Sequence, residues 1–265
     1  MDSIFIEKIL RGRRTPMDEK ILDGARLFDM TCQIARGGIR SQFPAFTDEQ
    51  VEQELDRRLA INRRIADGNI YRNIVSPMLS EDAVAAVVDA LEACQIDYMI
   101  VGAFSSNAYS IGRSTKDADF VVDLKSVQIP ALMERLGTDF RLDPQMQFET
   151  LTGSVRNIIR FLPTKFEIEL FRLNQKDEHH RERFRRRRRQ MLRAINREVW
   201  IPTAEDVVIQ KLRWQRRKDL DDVVNVLAGS GAGMDWDYVN SWTQKHGTHS
   251  LLVDLMKEAA IVPNS

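Results

Sequence analysis

The sequence predicts an α+β fold, a small mixed β-sheet core flanked by N-terminal and C-terminal helical segments. Three observations carry that reading. Short apolar runs of strand length, "DYMIVGA", "DADFVVDL", "NIIRFL" and "FEIELFRL", fall between residues 97 and 173. Long stretches with apolar residues at helical spacing lie on either side of them. Within the middle region helices and strands mingle without a regular strand-helix-strand alternation, which favours a mixed sheet under helical cover.

Taken in order, residues 17 to about 66 read as helical. "KILDGARLFDMTCQIARGG" ends at a glycine pair, a helix stop signal. "FTDEQVEQELDRRLAINRRIADG" opens at a Thr47 cap with Gln50 three residues on, a spacing that lets each side chain serve the other's backbone N–H. No repeat, low-complexity tract or long Pro/Ser linker follows this N-terminal segment (1–75), so its boundary is soft. In the core (76–202), "SEDAVAAVVDALEACQID" reads as a capped helix and "DYMIVGA" as a buried strand. "FSSNAYSIG" is a short helix, "DADFVVDL" a second strand and "SVQIPALMERLG" a helix; the last two runs are strands parted by the turn "PTK". After "REVWIP" the chain (203–265) is helical again through "TAEDVVIQKLRWQRRKDLDDVVNVLAG", "DWDYVNSWTQKHG" and "SLLVDLMKEA". "GSGAG" at 229–233 follows a helix rather than a strand, so it is expected to be a flexible connection and not a phosphate loop.

A chain of 265 residues can bury a substantial core, and 43% hydrophobic with 29% charged residues is an ordinary globular composition. Lys plus Arg and Asp plus Glu both number 39, which removes overall charge as an argument for nucleic acid or for an acidic membrane. Cys32 and Cys94 lack the close pairs of a zinc site or a disulfide framework and read as buried thiols. No run of 18 apolar residues occurs, and "MDSIFIEKILRGRRTP" has too short an apolar core for a secretory signal, so a cytoplasmic, membrane-free protein is expected.

The chemistry-bearing stretch is "GRSTKDADFVV", 112 to 122. It sets Asp117 and Asp119 one residue apart at the mouth of a strand, where i and i+2 project from the same face. Two like charges held that close repel unless a cation sits between them. A pair of solvated acids at a strand end has the same spacing, so the pair alone decides little.

The longer stretch "VGAFSSNAYSIGRSTKDADFVV" resembles the signature of the nucleotidyltransferase superfamily related to polymerase beta, in its small bacterial branch. There a glycine turn and short helix precede Arg-x-Thr-x-Asp-x-Asp and apolar residues. Gly102, Arg113, Thr115, Asp117 and Asp119 take those places, while Ala103 replaces a usual second Gly or Ser and Ser110 a common glycine. The resemblance implies a nucleotidyltransferase core and a third carboxylate followed by Leu-Phe. Glu169, before Leu170 and Phe171, matches it, with Glu in place of the commoner Asp; Glu167 shares its strand face and could exchange roles with it.

It further implies that Asp117, Asp119 and Glu169 are both catalytic and metal-binding, holding two Mg2+ ions, or Mn2+, roughly 3.5–4 Å apart. The nucleoside triphosphate would lie near Gly102, Ala103, Ser105, Arg113 and Thr115. Downstream, "IPTAEDVVIQKLRWQRRKDLDDVVNVL" is similar to the helical region of the same proteins, with Lys211, Arg217 and Asp222 at matching positions. Lys211 would touch nucleotide phosphate; alternatively it solvates a helix surface or pairs with Asp222. The function implied is transfer of a nucleoside monophosphate from a nucleoside triphosphate to an acceptor that is RNA, protein or a small molecule. Some relatives belong to toxin–antitoxin pairs, so a cognate partner protein is also implied. The alternative is a catalytically inactive protein of the same fold that binds nucleotide or RNA or regulates a partner.

"HHRERFRRRRRQ", 179 to 190, holds seven arginines and one acid. Arg185 to Arg189 could bind RNA phosphates, or could pair with acids of the N-terminal helices in a solvated loop. His179 and His180 are expected in a hydrated loop, since adjacent side chains rarely converge on one metal ion.

Overall fold

In the computed structural model residues 3–64, 80–149, 153–164, 166–192 and 195–259 are described. The boundary expected near residue 75, the helical pattern beyond Arg64 and Lys165 of the "PTK" turn lie outside them. Helices α1 (Ser3–Arg14), α2 (Met17–Gln42), α3 (Asp48–Arg64) and α4 (Ser80–Ala93) precede β1 (Tyr98–Val101), α5 (Gly102–Tyr109) and β2 (Asp117–Val122). Then come α6 (Ile129–Leu136), β3 (Phe140–Leu142), β4 (Gln147–Glu149), β5 (Ser154–Phe161), β6 (Phe166–Arg172) and α7 (Glu178–Arg185). A hairpin of β7 (Arg188–Leu192) and β8 (Arg197–Ile201) leads to α8 (Ala204–Trp214), α9 (Arg217–Ser230), α10 (Trp236–Lys245) and α11 (His249–Ala259).

The main sheet runs β1-β2-β6-β5-β3, with β4 also paired to β5. β2 and β6 are parallel and the other pairs antiparallel, so the sheet is mixed, as the sequence predicts. Its two faces differ because alternate residues point opposite ways. Tyr98, Ile100, Ala118, Phe120, Val122, Ile159, Phe161, Phe166, Ile168 and Leu170 all enter one apolar core that also takes in residues of α1, α2, α4, α5 and the C-terminal helices. Phe28 of α2 and Phe104 of α5 both set their rings near Phe166, at 6.1 and 6.3 Å. The opposite face has a smaller apolar patch of Met99, Val101, Val121 and Phe171 under Phe184 of α7, and beside it the acidic residues.

Four local readings change. Residues 3–14, left unassigned above, form α1, whose Arg13 guanidinium donates to the Ala228 carbonyl of α9 at 2.6 and 2.9 Å. α2 does not stop at Gly37-Gly38. Both glycines face open space, and Ile39 beyond them is wholly buried, so burial of that side chain outweighs about 1 kcal/mol per glycine of poor helix propensity. "GSGAG" is no flexible connection: α9 runs through Gly229, where a Cβ would overlap the Tyr109 carbonyl oxygen, and the Ser230 hydroxyl donates to that same oxygen at 2.8 Å. His179 and His180 sit on α7, not in a hydrated loop, and both are buried. The Asp177 side chain caps that helix by accepting from His180 N at 3.0 Å, and Phe184 anchors its buried side. By contrast the reciprocal cap of α3 forms as expected, Thr47 N donating to Gln50 Oε1 at 2.8 Å and Gln50 N to Thr47 Oγ1 at 3.3 Å.

Candidate active site

The site starts at the turn from β1 into α5. Val101, the last residue of β1, is paired with Asp119 of β2, and Gly102 then reverses the chain at φ +63°. A Cβ at Gly102 would overlap Asp119 Oδ2, so the glycine serves twice: it adopts a conformation that side chains resist, and it leaves the space the carboxylate fills. The Ser105 and Ser106 hydroxyls both donate to the Gly102 carbonyl, at 2.9 and 3.1 Å, which tightens the turn. Ser105 and Ala103 are buried.

The loop that delivers Asp117 is held from three sides. Asn107 of α5, fully buried, accepts from Arg113 N at 3.1 Å and donates to Arg113 O at 3.0 Å. Thr115 N donates to the Gly24 carbonyl of α2 at 3.1 Å. A Cβ on Gly24 would come within 2.9 Å of Arg113 O, Asn107 Nδ2 and Thr115 Cγ2, so the helix backbone itself presses on the loop. On the third side the Arg113 fork engages Asp222 of α9 at 2.8 and 3.0 Å. The Thr115 hydroxyl then donates to Asp117 Oδ1 at 2.6 Å and orients that carboxylate.

The parallel register aligns Asp117 with Glu167 and Asp119 with Glu169, all on one face. On β5 the antiparallel register sets Arg160 opposite Glu167, Ile158 opposite Glu169 and Arg156 opposite Phe171, so two arginines border the acids. Asp119 is densely surrounded yet still partly open to solvent. Burial, then the Asp117 charge, pushes its carboxyl up to about 7, against the pull of Lys218, Lys211 and Arg216. Burial and then Asp119 push Glu169 up to about 8, although Arg156 opposes this. Both acids therefore hold protons more tightly than free carboxylates do, and the group carries less than its full charge at neutral pH.

The Arg156 guanidinium donates to Glu169 Oε2 at 2.6 Å. Gln147 Oε1 accepts from the same guanidinium at 2.6 and 3.2 Å, and the Phe171 ring lies below it at 5.6 Å. Glu167 is met by Arg160 at 3.4 Å. Among the described residues no three Asp, Glu, His or Cys side chains are already gathered closely enough to ligate an ion. The donors are nonetheless all carboxylate oxygens, the set that suits a hard divalent cation, and such a cation would offset the burial and, after it, the mutual repulsion that raise Asp119 and Glu169.

Lys211 is nearly inaccessible and bridges Asp222 at 2.7 Å and Asp219 at 3.2 Å. This is the alternative pairing named above. The sequence reading missed Lys218 of α9, which is exposed, has no ion-pair partner among the described residues and is the first of the charges that pull the Asp119 carboxyl down. It also missed Asn107 and Arg156, whose roles depend on a loop return and a strand register.

The five arginines 185 to 189 find partners within the chain. Arg185 pairs with Glu182 at 2.6 Å and Arg186 with Asp206 at 3.5 Å; Arg187 pairs with Asp97 at 2.8 Å and Arg189 with Glu92 at 3.4 Å. Arg188 lies over the Tyr109 ring at 5.1 Å. Those acids belong to α4, α7, α8 and the α4–β1 turn, not to the N-terminal helices named above as the alternative to RNA phosphates.

Residues 13–73 match the family described as Rv0078B-related antitoxin, a stretch that takes in α2 and α3. No curated protein matches the chain. Among solved structures, an antigenic nucleotidyltransferase-like protein from Paracoccidioides brasiliensis is 17% identical, covering 67% of this chain and 91% of its own, with a TM-score of 0.43. The antibiotic-resistance factor ANT(2'')-Ia is 10% identical over 67% of this chain and 97% of its own, at 0.42. JHP933 from Helicobacter pylori is 15% identical over 69% of this chain and 89% of its own, at 0.36.

Among the described residues no helix is long and apolar enough to cross a membrane.

Proposed function

We propose that the protein is a divalent-cation-dependent nucleotidyltransferase acting in the cytoplasm on a nucleoside triphosphate and a hydroxyl-bearing acceptor. One observation carries the reading: Asp119 is seated against the Gly102 turn with Glu169 beside it in register and Asp117 two residues along the same face. Asp117, Asp119 and Glu169 would hold two Mg2+ ions, or Mn2+. Bound there, the cations would neutralise charge on the phosphates and lower the pKa of the attacking hydroxyl. The acceptor oxygen forms a bond to the α-phosphorus, the bond from that phosphorus to the pyrophosphate oxygen breaks, and the hydroxyl proton passes to a site carboxylate or water. Lys218, exposed on α9, would supply positive charge for the departing pyrophosphate. Thr115 fixes the rotamer of Asp117, and Asn107 fixes the loop that presents it.

The test pairs two measurements. A thermal-shift series with ATP, GTP, CTP and UTP should show stabilisation by at least one of them only when Mg2+ is present. Incubation of cell extract with the protein and each α-labelled triphosphate should put label into an acceptor, and Asp117→Ala or Asp119→Ala should abolish it. Normal labelling by either variant would remove that residue from the site.

A second reading, a nucleotide-binding module without catalysis, is favoured by the ion pair that already occupies Glu169. Magnesium-dependent stabilisation without any label transfer would select it. A cognate partner protein belongs to either reading, supported by the antitoxin-family match on α2 and α3; co-purification of a neighbour-encoded protein with the tagged chain tests it.

A further inference from the structure

We infer that Arg156 restrains the third carboxylate: it competes with a divalent cation for Glu169, so that the ion needing all three acids binds only when this ion pair opens. The inference rests on the metal reading above and concerns the regulation of that same site.

The geometry is asymmetric in a way that matters. Arg156 is fixed, because Gln147 accepts two of its N–H groups and the Phe171 ring supports its plane. Glu169 is the adjustable partner, a carboxylate on a longer arm than aspartate. Register makes the pairing diagonal: Arg156 stands opposite Phe171, two residues along β6 from Glu169. To meet it, Glu169 must lean along the strand, whereas its direct cross-strand neighbour on the other side is Asp119. A side chain leaning toward β5 cannot at the same time close on the Asp117 and Asp119 carboxylates of β2. That is consistent with the lack of a gathered ligand set among the described residues. Asp117 and Asp119 stay available to a cation accompanying a triphosphate, while the ion that also requires Glu169 must displace a charged hydrogen bond of 2.6 Å. Arg156 thus acts as a positioning residue through Glu169.

The test is a titration of the nucleotide-free protein with Mn2+, free ion being read by electron paramagnetic resonance. An adjacent opposite charge shifts a carboxylate's cation affinity by about tenfold or more, by analogy with its effect on protons. Arg156→Gln should therefore bind Mn2+ about tenfold more tightly than wild type. In a Glu169→Gln background the same change should tighten binding by no more than about twofold, because coupling between the two sites is the content of the claim. Glu169→Asp, which shortens the arm away from Arg156 and disturbs the fold little, should tighten binding severalfold and stands in if Arg156→Gln melts early. Equal or weaker Mn2+ binding in Arg156→Gln and Glu169→Asp, in a wild type that does bind Mn2+, overturns the restraint alone. So does tightening of equal size in the Glu169→Gln background. A wild type that binds no Mn2+, with variants that bind none either, overturns the metal reading and the restraint with it.

Discussion

Gly102→Ala displaces a carboxylate without deleting one. At φ +63° an alanine costs about 1 kcal/mol relative to glycine. Its Cβ would stand 3.0 Å from Asp119 Cβ and 2.8 Å from Cγ, and would overlap Oδ2. Strand β2 is fixed by pairing on both sides, so the carboxylate moves and the backbone stays. Leaving its rotamer adds about 0.5–1.5 kcal/mol. The sum, about 1.5–2.5 kcal/mol, lowers the melting temperature by about 3–10 °C for a chain of this size. The effect on function should be far larger, because a reacting geometry displaced by about 1 Å loses about 10²-fold in rate. The assay is a melt of wild type and variant, each with and without Mg2+ and the preferred triphosphate. The expected result is a modest drop in the metal-free melt together with loss of the magnesium-dependent rise. A variant that keeps the full rise refutes the placement of Asp119 as a ligand beside this turn. A melt lowered by more than about 15 °C refutes the claim that only the carboxylate moves.

Asn107→Ala leaves the buried N–H and C=O of Arg113 without their partners and should cost about 2–4 kcal/mol by urea unfolding; a loss under about 0.5 kcal/mol would mean that the loop does not depend on it. Gly229→Ala drives a Cβ into the Tyr109 carbonyl, a backbone atom that cannot step aside, so α9 must separate from α5 and the melt should fall by more than for Gly102→Ala; an unchanged melt sinks that packing account. Acid should weaken the fold through the buried histidines. Burial lowers His179, takes His180 down to about 2 and takes His246 to about 4, all below the unfolded value near 6.5. Their stabilising contribution is therefore complete above about pH 6.5 and is lost as pH falls toward the folded values. Below pH 6.5 the buried pair His179 and His180 should each cost about 1.4 kcal/mol per pH unit, opposed by the proton uptake of Asp119 and Glu169, whose raised values strengthen the fold as pH falls over the same range. His180→Gln should therefore gain stability relative to wild type as pH falls from 7.5 to 5.5, and a difference between their denaturant midpoints that stays constant over that range would contradict the histidine account.

What could be read in advance was whatever depends on neighbours along the chain. Asp117 and Asp119 share a face because strand side chains alternate, and Thr47 with Gln50 closes a cap because helix geometry sets their spacing. Pairings between distant segments stayed out of reach. Nothing in "SVRNIIRF" tells that Arg156 falls diagonal to Glu169, since a slip of one residue would send it to the other face. The glycine pair in α2 misled because the anchoring force, burial of Ile39, comes from tertiary contact. The run from His179 misled for a different reason: its charge density drew attention from the Asp177 cap and from Phe184, which together specify a docked helix. For Lys211 the sequence left phosphate contact and pairing with Asp222 both open, and only the fold shows the ion pair and how completely α8 and α9 enclose it.

Helix α2 gives the Gly24 carbonyl to Thr115, and Thr115 in turn steers Asp117. A fragment beginning at Ser80 would keep every acid and every strand of the main sheet, yet the loop ahead of Asp117 would lose its backstop and expose the wall that Gly24 now covers. Dissecting the chain at the start of α4 would thus separate the reagents from the vice that grips them. Any protein that prised α2 outward could silence the acids from a distance, without entering the cleft.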